Sequence, residues 1–399
     1  MRIHARLRLG TSPVACLLLA SFAIALPASA ETAGKDHGYE VLHSFTGSDG
    51  ANPYDTVAED GSGNFVGTTY NGGANGLGTV YRMTPDGTLT TLYSFSGTPD
   101  GQNPVSLPRL SVDKAGNIYG TTFQGGNVSG CSGICGTVFK ISPDGTETVL
   151  HNFTGGDDGY QPLGGVNIEK TTGNLYGATS LGSPSLDGAV YKLAPDGTLT
   201  IVSDKAGSNN GLIEDKHLNI YGTVAGADGW GAVLKFAPNG YETIMYAFQD
   251  NDDGANPLSA LIRDKAGNLY GTTSWVGANG GGTIFKIAPD GLLTTLYSFV
   301  GTVYNEPYPS TLVMDKNGNL YGTAEAYGTY GDGFIFELTS AGKFITRYSF
   351  HGSNGGSTDG AAPWGGLTLV GDYLYGTTLY GGGTGCGGKG CGTVFRMKI

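Results

Sequence analysis

Seven variants of the hexapeptide Asn-Leu-Tyr-Gly-Thr-Thr recur along this chain, and a version of Gly-Thr-Val-Phe-Lys-Ile follows each of them. Asn64–Thr69, Asn117–Thr122 and Asn268–Thr273 are copies of the first element; Gly78–Met83, Gly136–Ile141 and Gly282–Ile287 are the matching copies of the second. Self-similarity at a period of about fifty residues implies repeats that complete their cores only against their neighbours. Within each period, alternating β-branched and aromatic residues mark several short strands. The pattern predicts an all-β fold, a seven-bladed β-propeller with four antiparallel strands per blade.

The chain ends supply an internal check. The seventh copy stops at Ile399, directly after Gly392–Met397, so its blade lacks an outer strand. A strand of the missing kind, Tyr39–Phe45, stands alone ahead of the first repeat and resembles Leu92–Phe95, Leu296–Phe299 and Arg347–Phe350. Placing Tyr39–Phe45 on the outside of the last blade closes the ring and removes open sheet edges that would invite aggregation.

Residues 1–30 read as a signal peptide. Arg2, Arg6 and Arg8 precede an apolar run from Val14 to Leu26, and Ala28-Ser29-Ala30 is a small-residue cleavage site. The run is short for a membrane span. A short linker (31–38) and one propeller (39–399) follow, and a secreted or periplasmic protein is expected. Loss of the three arginines takes the formal charge from −12 to −15. With no basic cluster, nucleic acid is excluded as a partner; no membrane contact is expected after leader removal, and the protein is expected to be a monomer. Glycine, 71 of 399 residues, falls at turns on the fixed period, which argues against disorder.

Apart from Cys16 in the leader, the cysteines form two close pairs, Cys131/Cys135 and Cys386/Cys391. In an exported chain they read as disulfides, each worth on the order of 2 kcal/mol in the chain-entropy model. A four-cysteine zinc site is the alternative, though the pairs belong to the second and seventh repeats.

Pro-Asp-Gly turns at Pro85, Pro143, Pro195 and Pro289 join the third and fourth strands, and Asp60, Asp113, Asp215, Asp264 and Asp315 open the other hairpin turn as capping residues. These short turns share one face. Longer connections, such as Ser48–Tyr54 and Tyr70–Leu77, share the other, and function is expected there.

The run from Asp113 to Thr122, the Gly125-Gly126 pair, Gly136–Ile141 and the Pro143-Asp144-Gly145 turn together resemble the GloVer tandem repeat of exported bacterial proteins described as carrying a choice of anchors. The resemblance extends from about Tyr39 to Ile399 and implies a bacterial surface or secreted propeller-like protein. It brings no catalytic or binding residue with it. Nothing after Met397 reads as a sorting signal or membrane tail, so a free protein is expected.

Candidate ligand contacts come from the loops between second and third strands: Tyr70, Phe123, Trp230, Trp275, Tyr327, Tyr330 and Tyr380. Aromatic faces at a concave opening suit the apolar faces of sugar rings; the competing account is that some of these side chains pack inward as loop anchors. Trp230 and Trp275, in neighbouring blades, make the best local pair. The fourth repeat is irregular there: Ile201–Asp204 lacks the Tyr-Ser-Phe ending, and Ala206–Gly211 replaces the Asp-Gly-x-x-Pro loop.

That loop pattern recurs at Asp49–Pro53, Asp100–Pro104, Asp158–Pro162, Asp253–Pro257 and Asp359–Pro363, with Asn52, Asn103 and Asn256 adding an amide. Calcium is a weaker reading of these oxygens than a turn fixed by Asp, Gly and Pro, since one Asp per loop is thin for a cation needing six to eight ligands; no cofactor is expected otherwise. His43 and His151 occupy the strand position of Tyr93, Tyr297 and Tyr348, and His351 has no nucleophile nearby in sequence. Arg82, Lys140, Lys192, Lys235, Lys286 and Arg396 recur at one strand position and read as structural. Catalytic residues stay unknown. The leading reading is a ligand-binding or interaction module for extracellular glycan or another surface protein. A polysaccharide lyase or glycoside hydrolase drawing on acids such as Glu306, Glu325 and Asp332 is the alternative, and a structural scaffold without a small ligand is the third.

Overall fold

The computed structural model describes residues 38–127, 134–182, 188–204, 211–225, 230–249, 251–301, 308–352 and 358–399, and the repeats fold as seven blades of four antiparallel strands. Blade 1 runs outward from Ala58–Glu59 through Phe65–Thr69 and Thr79–Met83 to Leu89–Ser94, and the next five blades keep that order. Blade 7 is assembled from both ends of the chain: Leu367–Val370, Tyr373–Thr378 and Thr393–Lys398 are followed outward by Tyr39–Ser44. The closing pair is antiparallel with Val41 opposite Phe395, as the incomplete termini predict. His37–Ile399 form one compact unit, while the leader and all of the linker but Gly38 lie outside the described residues.

The recurring hexapeptide is explained side chain by side chain. Asp113 Oδ1 accepts the N–H groups of Ala115 and Asn117, and its Oδ2 accepts the Asn117 amide and the Tyr119 hydroxyl at 2.8 and 3.1 Å. Asp215, Asp264 and Asp315 hold the same Asn and Tyr partners in their blades. The glycine is required because the aromatic ring of the third strand crosses it: a Cβ on Gly376 would lie 2.5 Å from the Phe395 ring. The first threonine reaches the next blade, Thr68 Oγ1 donating to Pro104 O and Thr323 Oγ1 to Pro363 O at 3.3 and 3.1 Å. The second threonine joins the threonine of Gly-Thr-Val across the strands, as in Thr69 with Thr79 and Thr378 with Thr393, both at 2.8 Å. The motif is therefore scaffold.

Between blades, the phenylalanine that ends each outer strand meets the third-strand aromatic of the next blade edge to face. Phe45–Tyr81, Phe95–Phe139, Phe153–Tyr191, Phe248–Phe285, Phe299–Phe336 and Phe350–Phe395 all have ring centroids 5.2–5.5 Å apart. Blades 3 and 4 lack the pair, because Ser203 and Asp204 stand at that outer strand's end and Leu234 replaces the aromatic residue. Their interface is filled mainly by aliphatic side chains, Val190, Leu212, Ile220 and Leu234 among them.

The inner strand of blade 2 is only Ser111–Val112, since the residues before it leave the blade: Leu107 N–H donates to Leu163 O and Gly165 N–H to Leu107 O. Of the cysteines, Cys386–Cys391 is a disulfide with S–S 2.05 Å, which replaces the zinc alternative at that site. Cys135 is buried and disulfide-bonded, and Cys131 lies outside the described residues. The basic stripe is structural, with Arg396 on Glu40 at 2.7 Å, Arg82 on Asp60 at 3.2 Å, and Lys235 and Lys286 over tyrosine rings.

Closure concentrates on Tyr39, whose ring stacks on Tyr348 with centroids 3.9 Å apart, tilts against Phe395 and donates its hydroxyl to Asp359 O. Tyr39→Ala should cost about 3 kcal/mol, the low end of the range for deleting a core ring, because Tyr39 is part-buried. The loss is expected as a lower denaturant midpoint in equilibrium unfolding.

Candidate functional site

The long-loop face is held in place by capped loops. Asp100 Oδ2 accepts the Tyr93 hydroxyl at 2.7 Å and the Ser96 N–H at 2.9 Å. His43 on Asp49 and His151 on Asp158, at 2.9 and 3.0 Å, make the contact that tyrosine makes elsewhere, which is why histidine substitutes for tyrosine at that strand position. Tyr246 on Asp253 and Tyr348 on Asp359 complete the series. The residue before each loop proline is left-handed, with φ of 54–55° at Asn52, Asn103, Gln161, Asn256 and Ala362. Asparagine tolerates that conformation, and the Asn52 and Asn103 amides donate to Leu379 O and Tyr70 O. These oxygens and amides are thus engaged in building the loops. Among the described residues, no group of three or more His, Cys, Asp or Glu side chains is arranged to hold a metal ion.

Where the loops converge on the ring axis, aromatic side chains gather on one side. Tyr54 lies 5.1 Å from Tyr70 and 6.2 Å from Trp364 between ring centroids, and Tyr70 lies 6.4 Å from Phe123. All four rings are half-buried. Trp364 also walls a pocket of about 140 Å³, with Leu163, Leu258 and Tyr308 opposite. The Tyr54 phenol is raised above its ordinary value by burial, then by Tyr380, Tyr70 and Glu325, so those three groups share its surroundings. Burial likewise raises Tyr70.

Glu325 follows the second strand of blade 6, at the position of Tyr70 in blade 1 and Phe123 in blade 2. Burial alone pushes its carboxyl up to about 7. A carboxyl that titrates near neutrality among aromatic rings can act as proton donor or acceptor at physiological pH.

The candidates read from the sequence therefore separate. Tyr70, Phe123, Tyr380 and Glu325 come together at the mouth, while Tyr54 and Trp364 complete it without having been singled out. Both follow the loop proline, at a register where Val105, Leu163 and Leu258 stand in other blades, and comparison of that one column would have found them. Trp230 and Trp275 flank a different segment: Asn256 N–H donates to Trp230 O and Ala255 N–H to Trp275 O. Their side chains are 41% and 44% exposed. Of the irregular fourth-repeat loop, Ala206–Gly211, all but Gly211 lies outside the described residues, as does Glu306. Tyr327 is half-buried against the core between blades 5 and 6. Tyr330 stacks on His351, and His351 Nδ1 pairs with Asp359 at 2.9 Å. Asp332 lies in the same blade as Glu325, and its carbonyl accepts Ala362 N–H.

Comparison with known proteins agrees with the architecture. A family model described as the Gloeobacter/Verrucomicrobia repeat matches residues 31–224 and again 202–395. No curated protein matches the sequence. Among solved structures, the extracellular domain assigned to a hybrid two component system of B. thetaiotaomicron is 12% identical; the alignment covers 90% of this chain and 41% of that one, with a TM-score of 0.55. An oligogalacturonate lyase in complex with manganese is 11% identical over 88% of this chain and 89% of its own, with a TM-score of 0.54. A gluconolactonase from Xanthomonas campestris is 18% identical over 69% and 84%, with a TM-score of 0.41. At identities this low, the two likenesses with TM-scores above 0.5 show a shared fold and nothing more.

Beneath Tyr54, blade 1 carries two polar departures from the repeat. Asp55 is fully buried where Ser106, Ser259 and Ser310 stand in other blades, and Tyr81 replaces the phenylalanine of most third strands. The three serine hydroxyls each accept a threonine N–H at 2.9–3.1 Å. Asp55 Oδ1 accepts the Thr68 hydroxyl at 2.8 Å, but its Oδ2 and the Tyr81 hydroxyl lack protein partners. Burial raises the Asp55 carboxyl from 3.8 to about 7. The folded state therefore holds this proton more tightly than the unfolded chain, and the stability it contributes below pH 4 is lost as pH rises toward 7. Asp49 behaves oppositely: burial raises it, but bonds from His43 and Thr46 prevail and hold it at about 2. Its contribution is present above 3.8 and is lost as pH falls toward 2. Asp55→Ser should raise unfolding free energy on the order of 2 kcal/mol at pH 8 and by clearly less at pH 5, measured by thermal melts across that range.

Proposed function

The chain belongs to the Gloeobacter/Verrucomicrobia repeat family, and from that premise we propose that it is an exported propeller that binds extracellular carbohydrate at the aromatic mouth of its long-loop face. The grouping of Tyr54, Tyr70, Phe123 and Trp364 around one opening carries this reading. Half-buried rings lose little freedom on binding and offer flat apolar faces to sugar C–H surfaces. Export is supported by the Cys386–Cys391 disulfide, a bond that persists in oxidising compartments. Among the described residues no helix is long and apolar enough to cross a membrane. The protein acts as a monomer in this reading. The likeness to the oligogalacturonate lyase is one of fold and brings no residue with it.

Glu325 favours a second reading, cleavage of the bound polymer. A carboxyl at about 7 near Tyr54 suits proton transfer to or from a sugar oxygen or carbon at neutral pH.

A glycan array with the purified protein, followed by titration of the retained oligosaccharides, tests the binding reading. Trp364→Ala and Tyr54→Ala should each weaken binding roughly tenfold, whereas Trp275→Ala should leave it nearly unchanged. If Trp275→Ala abolishes binding and the mouth variants do not, the site is misplaced. For the second reading, incubation with the same glycans should release reducing or unsaturated ends, and Glu325→Gln should stop release while retaining binding. If the array shows neither retention nor release, the structural-scaffold reading takes its place.

A further inference from the structure

Below the mouth, the central channel holds a cavity of about 400 Å³ between the inner edges of blades 2 to 7. That volume falls within the usual range of small-molecule sites, about 300–1,000 Å³. Its upper end is shaped by a local break in the repeat. In blades 1, 3, 5 and 7 the loop proline precedes the first core residue by four positions, as Pro53 does Val57 and Pro257 does Leu261; in blade 2 Pro104 precedes Leu110 by six. The extra length is taken up by Leu107, Pro108 and Arg109, which run into the lumen. Leu107 bridges to Gly164 of blade 3, and Pro108 O accepts Thr56 N–H of blade 1. Leu107 lines both the mouth pocket and the channel cavity, so it divides one from the other.

The segment delivers a cation into the lumen. Arg109 is accessible to solvent, yet the surface it exposes belongs to a space enclosed by the ring. Its Nη1 lies 3.5 Å from the Thr368 hydroxyl of blade 7, at the outer limit of a hydrogen bond, and no carboxylate pairs with it among the described residues. Desolvation by the surrounding ring lowers its pKa. The other ionic groups of the lining, Glu214 and Arg263, are of opposite sign, so the lining carries a formal charge of +1 from two arginines and one glutamate. Enclosed charges are costly unless paired, and this one sits in a protein whose formal charge is −12. The rest of the lining is mostly aliphatic, with Leu110, Ile213, Ile262 and Val313, relieved by Ser111 and Asn167.

We propose that the central channel is a binding site for a small organic carboxylate, with Arg109 as the group that receives the carboxylate. A guanidinium fork matches a carboxylate through two parallel N–H bonds, one net positive charge suits a monoanion, and the aliphatic walls suit a short carbon body. The site is separate from the carbohydrate mouth and does not depend on it.

The test titrates the purified full-length mature protein calorimetrically with acetate, D-lactate and D-galacturonate. Acetamide, D-galactose and sodium chloride at matched ionic strength serve as controls. Saturable binding of at least one carboxylate is expected, weakened at least tenfold in Arg109→Gln and several-fold in Arg109→Lys, and unchanged in Trp364→Ala. In the absence of carboxylate, Arg109→Leu should melt at a higher temperature than the parent, because it removes an unpaired charge; an arginine that merely braces the fold would lower it. The proposal is overturned if none of the three carboxylates binds, if chloride reproduces the effect, or if Trp364→Ala removes binding while Arg109→Gln retains it. A lower melting temperature for Arg109→Leu counts equally against it, and that readout remains decisive should Arg109→Gln fold poorly.

Discussion

The edge-to-face contact between a phenylalanine at the end of one blade and the third-strand aromatic of the next is the interaction on which the ring depends. Six of the seven junctions carry it, from Phe45–Tyr81 to Phe350–Phe395. Each such pair adds about 0.5–1.5 kcal/mol beyond the area it buries. It also fixes the third-strand ring across the glycine of the next repeat, as Phe395 lies across Gly376. Blade-to-blade register and the conformation within a blade are therefore set by the same ring. The threonine that follows the glycine, reaching the next blade's loop carbonyl, locks the register again by hydrogen bonding.

This economy explains what could be read in advance. Blade number, strand order and closure by Tyr39–Ser44 are legible because each rests on residues repeated about every fifty positions, and any one copy interprets the others. The mouth is harder to read. Tyr54 and Trp364 are separated by more than three hundred residues, and only ring closure makes their blades neighbours. Tyr327 illustrates the reverse difficulty: it shares its loop type with Tyr70 and Tyr380, but its backbone takes φ of 71° and its ring packs on the core between blades 5 and 6. Position in a loop does not say which way the loop folds.

Apart from the irregular junction of blades 3 and 4, the departures that shape the mouth and the channel fall in four adjacent blades, 6, 7, 1 and 2. Asp55, Tyr81, Tyr54 and Trp364 lie in blades 1 and 7, Leu107 to Arg109 in blade 2, and Glu325 in blade 6. A regular ring supplies seven equivalent positions at each level, so a site needs only a few of them changed. The buried carboxyl of Asp55 beneath the aromatic cluster shows that these changes come at some cost in stability, since serine satisfies the same threonine in three sister blades. The regular positions hold the frame, and the irregular ones give the mouth and the channel their side chains.

Blade 7, where the two ends of the polypeptide meet, stands diametrically across the annulus from the junction of blades 3 and 4, the one without a phenylalanine clasp. The ring is thus fastened by the pairing of its own ends on one side and, on the other, by an interface packed mainly with aliphatic side chains.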